Sequence, residues 1–419
     1  MVKKKLVVIG GGAAGFFCAV NAARLYPGLE VILLERTSKL LSKVKVSGGG
    51  RCNVTHACFS IADMIKKYPR GSAFLKKAFH HFFITDTIAW FRDRNINLKT
   101  ESDGRMFPVT DSSLTIIDCL LNEAAKCNVK IEMNAVVNAL YKKQQGWELQ
   151  LADKTIHADL VCIATGGFAK PEQFNWIKAI GHSIEDPVPS LFTFNIPRNN
   201  ITALMGITVE HVAIKIAGTK LQEFGPLLIT HWGLSGPAVL KLSAWGAREL
   251  ASRNYAFNII VNWLPAYNEI TLKEKMQQVR FDIAAQKIIN RNPFGIAGRL
   301  WQYFLEQAGI VPEMRWADLP AKEQNKLVKI LCAEEFAVKG KTTFKEEFVT
   351  AGGVQLSEID VNTMQSKIAP GIFFAGEIMD VDGVTGGFNF QHAWTSGWIA
   401  AEGIVKNLRL EVGASNLKH

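Results

Sequence analysis

Three glycines near the N-terminus have the spacing of a loop that binds the phosphates of a dinucleotide. Gly10, Gly12 and Gly15 occupy the fixed positions of a G-x-G-x-x-G pattern, with Ala13 and Ala14 between the second and third. In such loops the glycines permit a tight turn, a close approach of the backbone to the pyrophosphate, and close packing of a helix on a strand. The following helix offers unpaired N–H groups and a positive dipole end to the phosphates.

An acidic residue stands at the distance that this motif requires. Glu35 lies 20 residues after Gly15, at the end of an apolar run. An acid at this place hydrogen-bonds a ribose 2′-hydroxyl. A carboxylate also disfavours a 2′-phosphate, so FAD or NAD fits better than NADP. The motif by itself does not choose between FAD and NAD.

Two strands and a helix must position these residues. Residues 6–9 and 30–34 are apolar runs typical of buried parallel strands, and residues 16–20 are an apolar stretch typical of a helix. The lysines at 3–5, followed by apolar residues, could also belong to a signal peptide. The glycine break and the second strand favour a βαβ unit instead.

The composition limits the class of protein. The chain has 419 residues, of which 48% are hydrophobic and 21% charged, which is ordinary for a globular protein of two or three domains. Disordered, collagen-like and coiled-coil chains are therefore excluded. No apolar run approaches the ~20 residues of a membrane-spanning helix, so we expect a soluble protein without a membrane partner. The 7 scattered cysteines form no CxxC pair, which argues against a secreted disulfide framework and for a cytoplasmic protein.

Two later segments indicate a flavin. Residues 158–167 are an apolar strand that ends in Ala-Thr-Gly-Gly, and residues 371–377 are another that ends in Gly-Glu. A glycine loop at 383–387 and a helix over about 389–405 follow. Together with the first motif they resemble the FAD-binding fold of the glutathione-reductase-like flavoproteins. The resemblance implies that Glu377 reaches the ribityl and phosphate part of FAD, and that the last helix points its N-terminus at the flavin.

A longer series of motifs makes the resemblance more specific. The series comprises the segments 46–55, 230–237, 350–354, 358–367 and 375–391. In this order it resembles the BaiN-type flavoprotein family, also called aminoacetone-oxidase-like, over nearly the whole chain. The resemblance implies an α/β fold, in which a discontinuous Rossmann-like FAD-binding domain of the glutathione-reductase type holds an inserted β-rich, barrel-like domain and a helical piece.

We accordingly predict four segments along the chain. They are 1–190 and 345–412 for the two parts of the FAD-binding domain, 191–268 for the β-rich insert, and 269–344 for the helical insert. No second G-x-G-x-x-G follows a strand, so no dedicated pyridine-nucleotide domain is expected. If NADPH or NADH is the electron donor, it docks transiently. Residues 168–176 depart from the family pattern at a loop expected near the flavin, so the substrate preference of family members does not transfer at this edge.

The predicted cofactor contacts come from all of these motifs. They are Gly10, Gly12, Ala13, Ala14, Gly15, Glu35, Arg36, Lys43, Ser47, Gly48, Gly49, Gly50, Arg51, Cys52, Asn53, Val137, Thr165, Gly166, Gly376, Glu377, Gly386, Gly387, Phe388 and Asn389. For Arg51 we favour a contact with the pyrophosphate or with negative charge on the flavin over a surface salt bridge. Asn389 could alternatively only fix the turn of its glycine loop.

Cys52 and His231 are the predicted catalytic residues. Cys52 is a candidate thiol near the flavin, and a packed loop cysteine is the alternative. Its spacing to Cys58 is C-x5-C instead of the C-x4-C of the disulfide reductases, which argues against a redox disulfide. His231 precedes a Gly-Leu-Ser-Gly-Pro loop and is either a general acid or a structural histidine. The His and acidic residues have no metal-ligand spacing, so no metal is expected.

The charge bears on the partner. Lys and Arg number 48 against 38 Asp and Glu, a net charge of +10 that favours a polyanionic partner. Basic residues cluster at 66–70, 76–77 and 339–345, and such clusters are usually solvated faces. One branch of the family is associated with dihydrouridine formation in ribosomal RNA, a substrate that a basic surface binds by counterion release.

These observations predict an FAD-dependent oxidoreductase. By family resemblance we favour an NAD(P)H-fed reductase of an activated C=C bond that acts on a small-molecule substrate. The alternatives are a flavin-dependent dihydrouridine synthase that acts on ribosomal RNA, a flavin-dependent amine oxidase, and a flavin-binding protein without catalysis.

Overall fold

A computed structural model describes residues 3–343 and 349–416, with side chains up to residue 410 in the last helix. Lys345, at the end of one predicted basic cluster, lies outside the described residues. The chain divides into two compact units, which are Met1–Pro189 together with Lys345–His419, and Ser190–Phe344. Within the described ranges, no helix has both the length and the apolar character needed to cross a bilayer.

The described residues form strands, α-helices and short 3-10 helices. In chain order the strands are β1 (Lys5–Ile9), β2 (Glu30–Glu35), β3 (Thr55–His56), β4 (Leu98–Thr100), β5 (Arg105–Pro108), β6 (Lys130–Met133), β7 (Val137–Lys142), β8 (Trp147–Leu151), β9 (Thr155–Ala158), β10 (Leu160–Ile163), β11 (Ile184–Ser190), β12 (Thr193–Asn195), β13 (Thr208–Ile216), β14 (Gln222–Thr230), β15 (Gly233–Ser235), β16 (Ala256–Asn262), β17 (Glu334–Lys339), β18 (Lys341–Thr342), β19 (Val349–Val354) and β20 (Ile372–Phe374). The α-helices are α1 (Ala13–Leu25), α2 (Ser42–Gly50), α3 (Ile61–Met64), α4 (Ser72–Ala78), α5 (Ile84–Arg92), α6 (Ser113–Lys126), α7 (Asn175–Lys178), α8 (Pro237–Trp245), α9 (Ala247–Ser252), α10 (Glu269–Asp282), α11 (Gly298–Ala308), α12 (Ala321–Ala333) and α13 (Phe388–Asn416). Short 3-10 helices lie at Ile65–Lys67, Pro171–Phe174, Asn200–Leu204, Ile288–Asn290, Leu356–Glu358 and Gly376–Ile378.

The first unit is built on a parallel sheet of five strands. Their spatial order is β20-β10-β1-β2-β6, and each neighbouring pair is parallel. Strands β10 and β20 are buried along their whole length, as is β1 from Leu6 onward. Continuous apolar strands of this kind are typical of parallel sheets with both faces covered. The ends of β1, β10 and β20 thereby meet at one edge of the sheet.

Helices α1 and α13 pack against each other in this unit. A Cβ atom at Gly397 of α13 would lie 2.8 Å from the carbonyl oxygen of Ala14, so the two helices approach at van der Waals distance. Phe17 of α1 contacts the rings of Trp90 and Trp394, with centroids 4.6 and 5.3 Å apart. Phe79, Phe82, Phe83 and Trp90 are buried and contribute to the core of this unit.

Two small antiparallel sheets and one strand pair complete the first unit. Their orders are β3-β5-β4, β7-β8-β9 and β11-β19. The β4–β5 hairpin presents Glu101 and Phe107 beside Arg51 of the glycine segment. The β7–β9 sheet begins at Val137, one of the predicted cofactor contacts.

The second unit contains a sheet that closes on itself. Its order is β17-β16-β13-β14-β15-β12-β18, and only Gly340 separates β17 from β18. Gly340 donates its N–H to Tyr255 O at 2.8 Å, and its carbonyl accepts from Asn195 N at 3.2 Å. The segment β17–Gly340–β18 is thus one bent strand that pairs with β16 on one side and β12 on the other. The barrel-like insert that the family resemblance implies is present.

The helical part of this unit ends earlier than the sequence analysis placed it. Helices α10, α11 and α12 occupy the stretch to Ala333, but residues 334–342, which were assigned to the helical insert, form β17 and β18. Their alternating burial, with Phe336 and Val338 inside and Glu335 and Ala337 outside, is the pattern of a barrel strand. The predicted β-rich segment 191–268 also contains helices α8 and α9.

Candidate dinucleotide site

The turn between β1 and α1 leaves room for phosphates. A Cβ at Gly10 would lie 2.2 Å from Ala164 O, and one at Gly15 would lie 1.9 Å from Gly10 O, so neither position tolerates a side chain. A Cβ at Gly12 would meet no atom within 4 Å. Gly12 is also the N-cap of α1, which has no side-chain capping bond. The helix N-terminus is therefore open, and the three glycines have the three packing environments that the motif predicts.

Glu35 is held at the end of β2. Its Oε2 accepts from Gly11 N at 2.9 Å, and its Oε1 accepts from Thr37 N at 2.9 Å and from Thr37 Oγ1 at 2.8 Å. A carboxylate offers about four lone-pair positions. Within the described ranges, one lone-pair position on Oε2 has no partner, and a ribose hydroxyl is the predicted ligand there. The chain that leads to Val137 passes beside this acid, because Ala135 N donates to Glu35 O at 2.8 Å.

Arg36 stands next to the loop that departs from the family pattern. Its guanidinium lies over the ring of Phe168, 5.9 Å from the centroid. Phe168 is the first residue of that loop and is buried. The departing segment therefore contacts a predicted cofactor residue.

The glycine segment at the end of α2 departs from helical geometry and adopts a conformation that only glycine takes without strain. Gly48, Gly49 and Gly50 have φ angles of +60°, +70° and +85°. A Cβ at Gly48 would lie 2.7 Å from the Phe107 ring, whereas Gly49 and Gly50 face open space. The backbone at Gly49 and Gly50 is consequently accessible to a flat or anionic ligand.

Arg51 forms a different contact from the one we favoured. Its Nη1 donates to Glu101 Oε1 at 2.5 Å and lies 3.7 Å from Asp111 Oδ1. Its guanidinium lies over Phe107, 4.0 Å from the ring centroid. The hydrogen bond to Glu101 is the main reason why the pKa of Arg51 is raised. A contact between Arg51 and the cofactor remains a prediction.

Lys43 and Glu377, which are 334 positions apart, form an ion pair. Lys43 Nζ donates to Glu377 Oε2 at 2.5 Å, and Thr350 N donates to Glu377 Oε1 at 2.9 Å. A Cβ at Gly166 would be 4.0 Å from Glu377 Oε2, which brings the strand end at Thr165 to the same place. Within the described ranges, the buried Thr350 hydroxyl has no hydrogen-bond partner. The predicted segments that contain Lys43, Gly166 and Glu377 therefore meet at the Glu377 carboxylate.

Hydrogen bonds from Asn389 and Asn53 hold the two ends of the glycine loop at 383–387. Asn389 donates from Nδ2 to Gly383 O at 2.9 Å and accepts at Oδ1 from Gly383 N at 2.8 Å, which is the turn-fixing role considered for it. In the amide orientation that satisfies both groups, Asn53 accepts from Gly387 N at 3.0 Å and donates to Thr55 O at 2.9 Å. Gly376 has a φ angle of +75°, and its N–H donates to Ser396 Oγ at 2.9 Å.

Three residues at this site were not among the predicted contacts. His56 bonds through Nδ1 to Gly386 O at 3.0 Å and stacks on Phe388, with the ring centroids 4.7 Å apart. Burial lowers the pKa of His392 to about 4, and its Nε2 lies 3.2 Å from Gly376 O. Thr350 stood in the quoted motif series. His56 and His392 follow glycine-rich motifs closely, and that proximity was the only signal available.

The two predicted catalytic residues have different surroundings. Cys52 is fully buried with a φ angle of +62°, and burial raises the pKa of its thiol to about 12. Cys52 and Cys58 are both free thiols. His231 belongs to the second unit, where it is exposed between β14 and β15 with its ring 4.2 Å from that of Trp232. Both roles remain predictions.

Comparisons with known proteins give matches over nearly the whole chain. A family model described as HI0933-like protein Rossmann domain matches residues 4–403. The ribosomal RNA dihydrouridine synthase of Escherichia coli (strain K12) is 31% identical over 409 residues, which are 95% of this chain and 97% of that protein. The 3-dehydro-bile acid delta(4,6)-reductase of Clostridium scindens is 25% identical, over 94% of this chain and 98% of that protein.

A solved structure shares the fold. The 3-ketosteroid-delta4-(5alpha)-dehydrogenase from Rhodococcus jostii RHA1 aligns with a TM-score of 0.50 at 14% identity. The alignment covers 95% of this chain and 97% of that one. The aligned residues include parts of both units.

Proposed function

Since the chain belongs to the HI0933-like family of Rossmann-domain proteins, we propose that it is a ribosomal RNA dihydrouridine synthase, an enzyme that reduces the C5=C6 bond of uridine within ribosomal RNA. Family membership confirms the predicted family, the α/β fold class and the class of FAD-dependent oxidoreductase. The observation that carries the finer proposal is the 31% identity to the Escherichia coli enzyme over 95% of this chain.

Several features of the first unit support FAD as the cofactor. Open space at Gly12 and at the N-terminus of α1 suits the pyrophosphate, and the remaining lone pair of Glu35 suits the ribose. The hydroxyl of Thr350 beside Glu377, which has no hydrogen-bond partner among the described residues, suits a polar group farther along the cofactor. When bound, FAD supplies the electrons that reduce the C=C bond.

The overall reaction adds two electrons and two protons to the uracil ring. We propose NADPH or NADH as the donor, so that uridine, NAD(P)H and one proton give dihydrouridine and NAD(P)+. The C5=C6 bond is conjugated with the C4 carbonyl, which makes it an activated C=C bond of the kind that the sequence analysis favoured. The likeness to relatives named for ribosomal RNA supports a nucleic-acid substrate over a small molecule.

A proton must reach the carbon next to that carbonyl. The thiol of Cys52 stays protonated at neutral pH because its pKa is about 12. A protonated thiol is not a nucleophile, and the raised pKa also makes this thiol a weak acid, so its proton would pass only to a strongly basic carbanion. We propose Cys52 as the proton donor, with His231 as the alternative. Cytoplasmic location follows from the proposed substrate.

A reductase of a small enone is the second candidate. The 25% identity to the bile-acid reductase over 94% of the chain favours it. The chemistry is the same, because an enone is also a C=C bond conjugated with a carbonyl. The two candidates differ in the size and charge of the substrate, and the net charge of +10 favours the RNA.

The test is the modification state of ribosomal RNA in the source organism. Deletion of the gene is expected to remove dihydrouridine from the digested RNA, as measured by nucleoside mass spectrometry, and the intact chain is expected to restore it. Purified protein supplied with FAD, NADPH and RNA from the deletion strain should add two hydrogens per modified uridine.

Other results would favour the alternatives. Unchanged dihydrouridine in the deletion strain, together with NADPH-dependent reduction of enones by the protein, would support the small-molecule reductase. Peroxide formation from amines without any need for NAD(P)H would support the amine oxidase.

A further inference from the structure

We infer that ribosomal RNA docks through its phosphates on a lysine surface formed by Lys66, Lys67, Lys76 and Lys77. The segment that carries this surface is hydrogen-bonded directly to residues 380–387, which include the glycine loop at 383–387. The inference rests on the proposed function and deepens it, because it assigns the surface that holds the substrate. The expected occupant is an RNA backbone, because the exposed side chains are positively charged and their segment is bonded to the glycine loop.

The exposed face of residues 66–81 is basic. Its exposed side chains are those of Lys66, Lys67, Ala73, Lys76, Lys77, His80 and His81. The segment contains no acidic residue. Lys66 pairs with the exposed Asp63 at 2.8 Å, and within the described ranges Lys67, Lys76 and Lys77 have no ion pair. Three unneutralised ammonium groups are therefore available to phosphates.

The same segment is fixed to the glycine loop by its backbone and buried side chains. Tyr68 donates its hydroxyl to Phe388 O at 2.7 Å, and Val384 N donates to Lys67 O at 2.9 Å. Arg70 donates two hydrogen bonds to the fully buried Asp382. The backbone carbonyl of Lys67 is therefore hydrogen-bonded to the loop that leads into α13.

The packing beneath the lysines makes this connection rigid. Tyr68, Leu75 and Phe79 are buried, and a Cβ at Gly71 would lie 2.5 Å from Val381 Cγ2. Exposed side chains thus stand on a segment whose opposite face is core. A phosphate held here is fixed relative to Gly386 and Gly387, the glycines at which the cofactor is predicted to bind.

The second unit offers a matched control. Helix α12 exposes Lys322, Lys326 and Lys329, which have the i, i+4, i+7 spacing of one helix face. Removing these three lysines changes the net charge by the same amount as removing Lys67, Lys76 and Lys77. A purely global effect of charge would affect both triple variants equally.

The experiment measures binding of a ribosomal RNA transcript by fluorescence anisotropy between about 50 and 300 mM salt. The variant K67A/K76A/K77A is expected to bind at least about tenfold more weakly at 100 mM salt, with a salt-dependence slope smaller by about 2 to 3. The variant K322A/K326A/K329A should match the wild type. Lys→Arg replacement of the same three lysines should restore binding, because the charge is retained.

Two controls separate this inference from the proposed function. FAD content and thermal stability should be unchanged in both alanine variants, because all six lysines are exposed. If the wild type makes dihydrouridine while K67A/K76A/K77A keeps its affinity and salt slope, or the α12 variant loses as much, the lysine surface is not the docking site. If the wild type neither binds ribosomal RNA nor makes dihydrouridine, the proposed function itself fails.

Discussion

Each of the two units shields a carboxyl group from water, fully at Asp382 and partly at Glu334, and the two groups have different hydrogen-bond partners. In the first unit the side chain of Asp382 is fully buried and receives two hydrogen bonds from the guanidinium of Arg70. In the second unit Glu334 accepts from Trp263 Nε1 at 2.6 Å and from Tyr303 OH at 3.2 Å, which are neutral donors. Burial raises the pKa of Glu334 to about 7.

The difference reflects what each carboxyl holds in place. The Asp382–Arg70 pair connects the lysine surface to residues 380–387, so an ion pair fixes two segments that both belong to the candidate site. Glu334 stands where α12 ends and the closing barrel strand begins, and it needs only a partner that satisfies its hydrogen bonds. The Arg70–Asp382 ion pair thus connects two segments of the candidate site, whereas Glu334, with a pKa of about 7, lies in the barrel of the second unit.

The largest effect is expected from breaking the ion pair. Replacement of Asp382 by Ala leaves Arg70, whose side chain is 14% exposed, without this carboxylate, and removal of one member of a buried pair costs ~3–5 kcal/mol. The free energy of unfolding of the first unit should fall by that amount, as measured by urea denaturation. Asp93→Ala, which removes an exposed pair, should cost less than ~1 kcal/mol.

Equal effects of the two aspartate variants would contradict the first prediction. Should Asp382→Ala not fold, the double variant Arg70→Met/Asp382→Leu provides the second measurement. It replaces both charges by apolar groups, and such replacements are often neutral or stabilising. A folded double variant with weaker RNA binding would confirm that the pair positions the lysine surface.

The second effect is a pH dependence in the other unit. Glu334 has a folded-state pKa of about 7 against an ordinary 4.5, so its protonation stabilises the fold. This stabilisation is complete below pH 4.5 and is lost as the pH rises through 7, amounting to about 3 kcal/mol. Glu334→Gln should remove this fall from thermal unfolding curves recorded between pH 5 and 8. The exposed neighbour Glu335→Gln should keep it, and an unchanged pH profile in the Glu334 variant would contradict the assignment.

The comparison also separates what a sequence can predict from what it cannot. Gly10, Gly12 and Gly15 were predictable because each needs one backbone geometry and the three lie within a single turn. The contact of Lys43 with Glu377 was not, since it joins residues 334 positions apart and neither belongs to a motif that specifies the other. The contact of Arg51 with Glu101 was not predictable either, because Glu101 lies on a hairpin with no recognisable motif.

In the insert the sequence predicts the class of structure but not its boundaries. Alternating apolar residues indicate short strands, and the helical spacing after 269 indicates α10 to α12. The strand over 334–342 was assigned to the helical piece because it follows α12 without an intervening loop. Alternation over the six residues of β17 is a weak pattern next to the 13-residue helix α12. Pairing with β16 and β12 decides that residues 334–342 form strands.

The third effect tests the cofactor site directly. Glu35→Ala removes the carboxylate that we assign to the ribose and should weaken FAD retention by ~1.5–3 kcal/mol, which is the contribution of a charged hydrogen bond. The absorbance ratio of flavin to protein after gel filtration measures it. Glu30→Ala is the control, because Glu30 starts the same strand and pairs with Lys130 at 2.7 Å. Full flavin content in the Glu35 variant would mean that the ribose binds elsewhere.

The smallest effect concerns the closure of the barrel. Gly340 has a φ angle of +95°, and a Cβ there would be 3.8 Å from Asn195 Nδ2, so Ala fits the space but strains the backbone. Gly340→Ala should therefore destabilise the second unit by ~1–2 kcal/mol. Hydrogen exchange of the Asn195 amide, which donates to Gly340 O, should accelerate. Gly298→Ala, at the start of α11 with open space and no positive φ, should leave the exchange at Asn195 unchanged and should not lower the stability. If exchange at Asn195 is unaffected while stability falls, the strain is real but the barrel is not closed through Gly340.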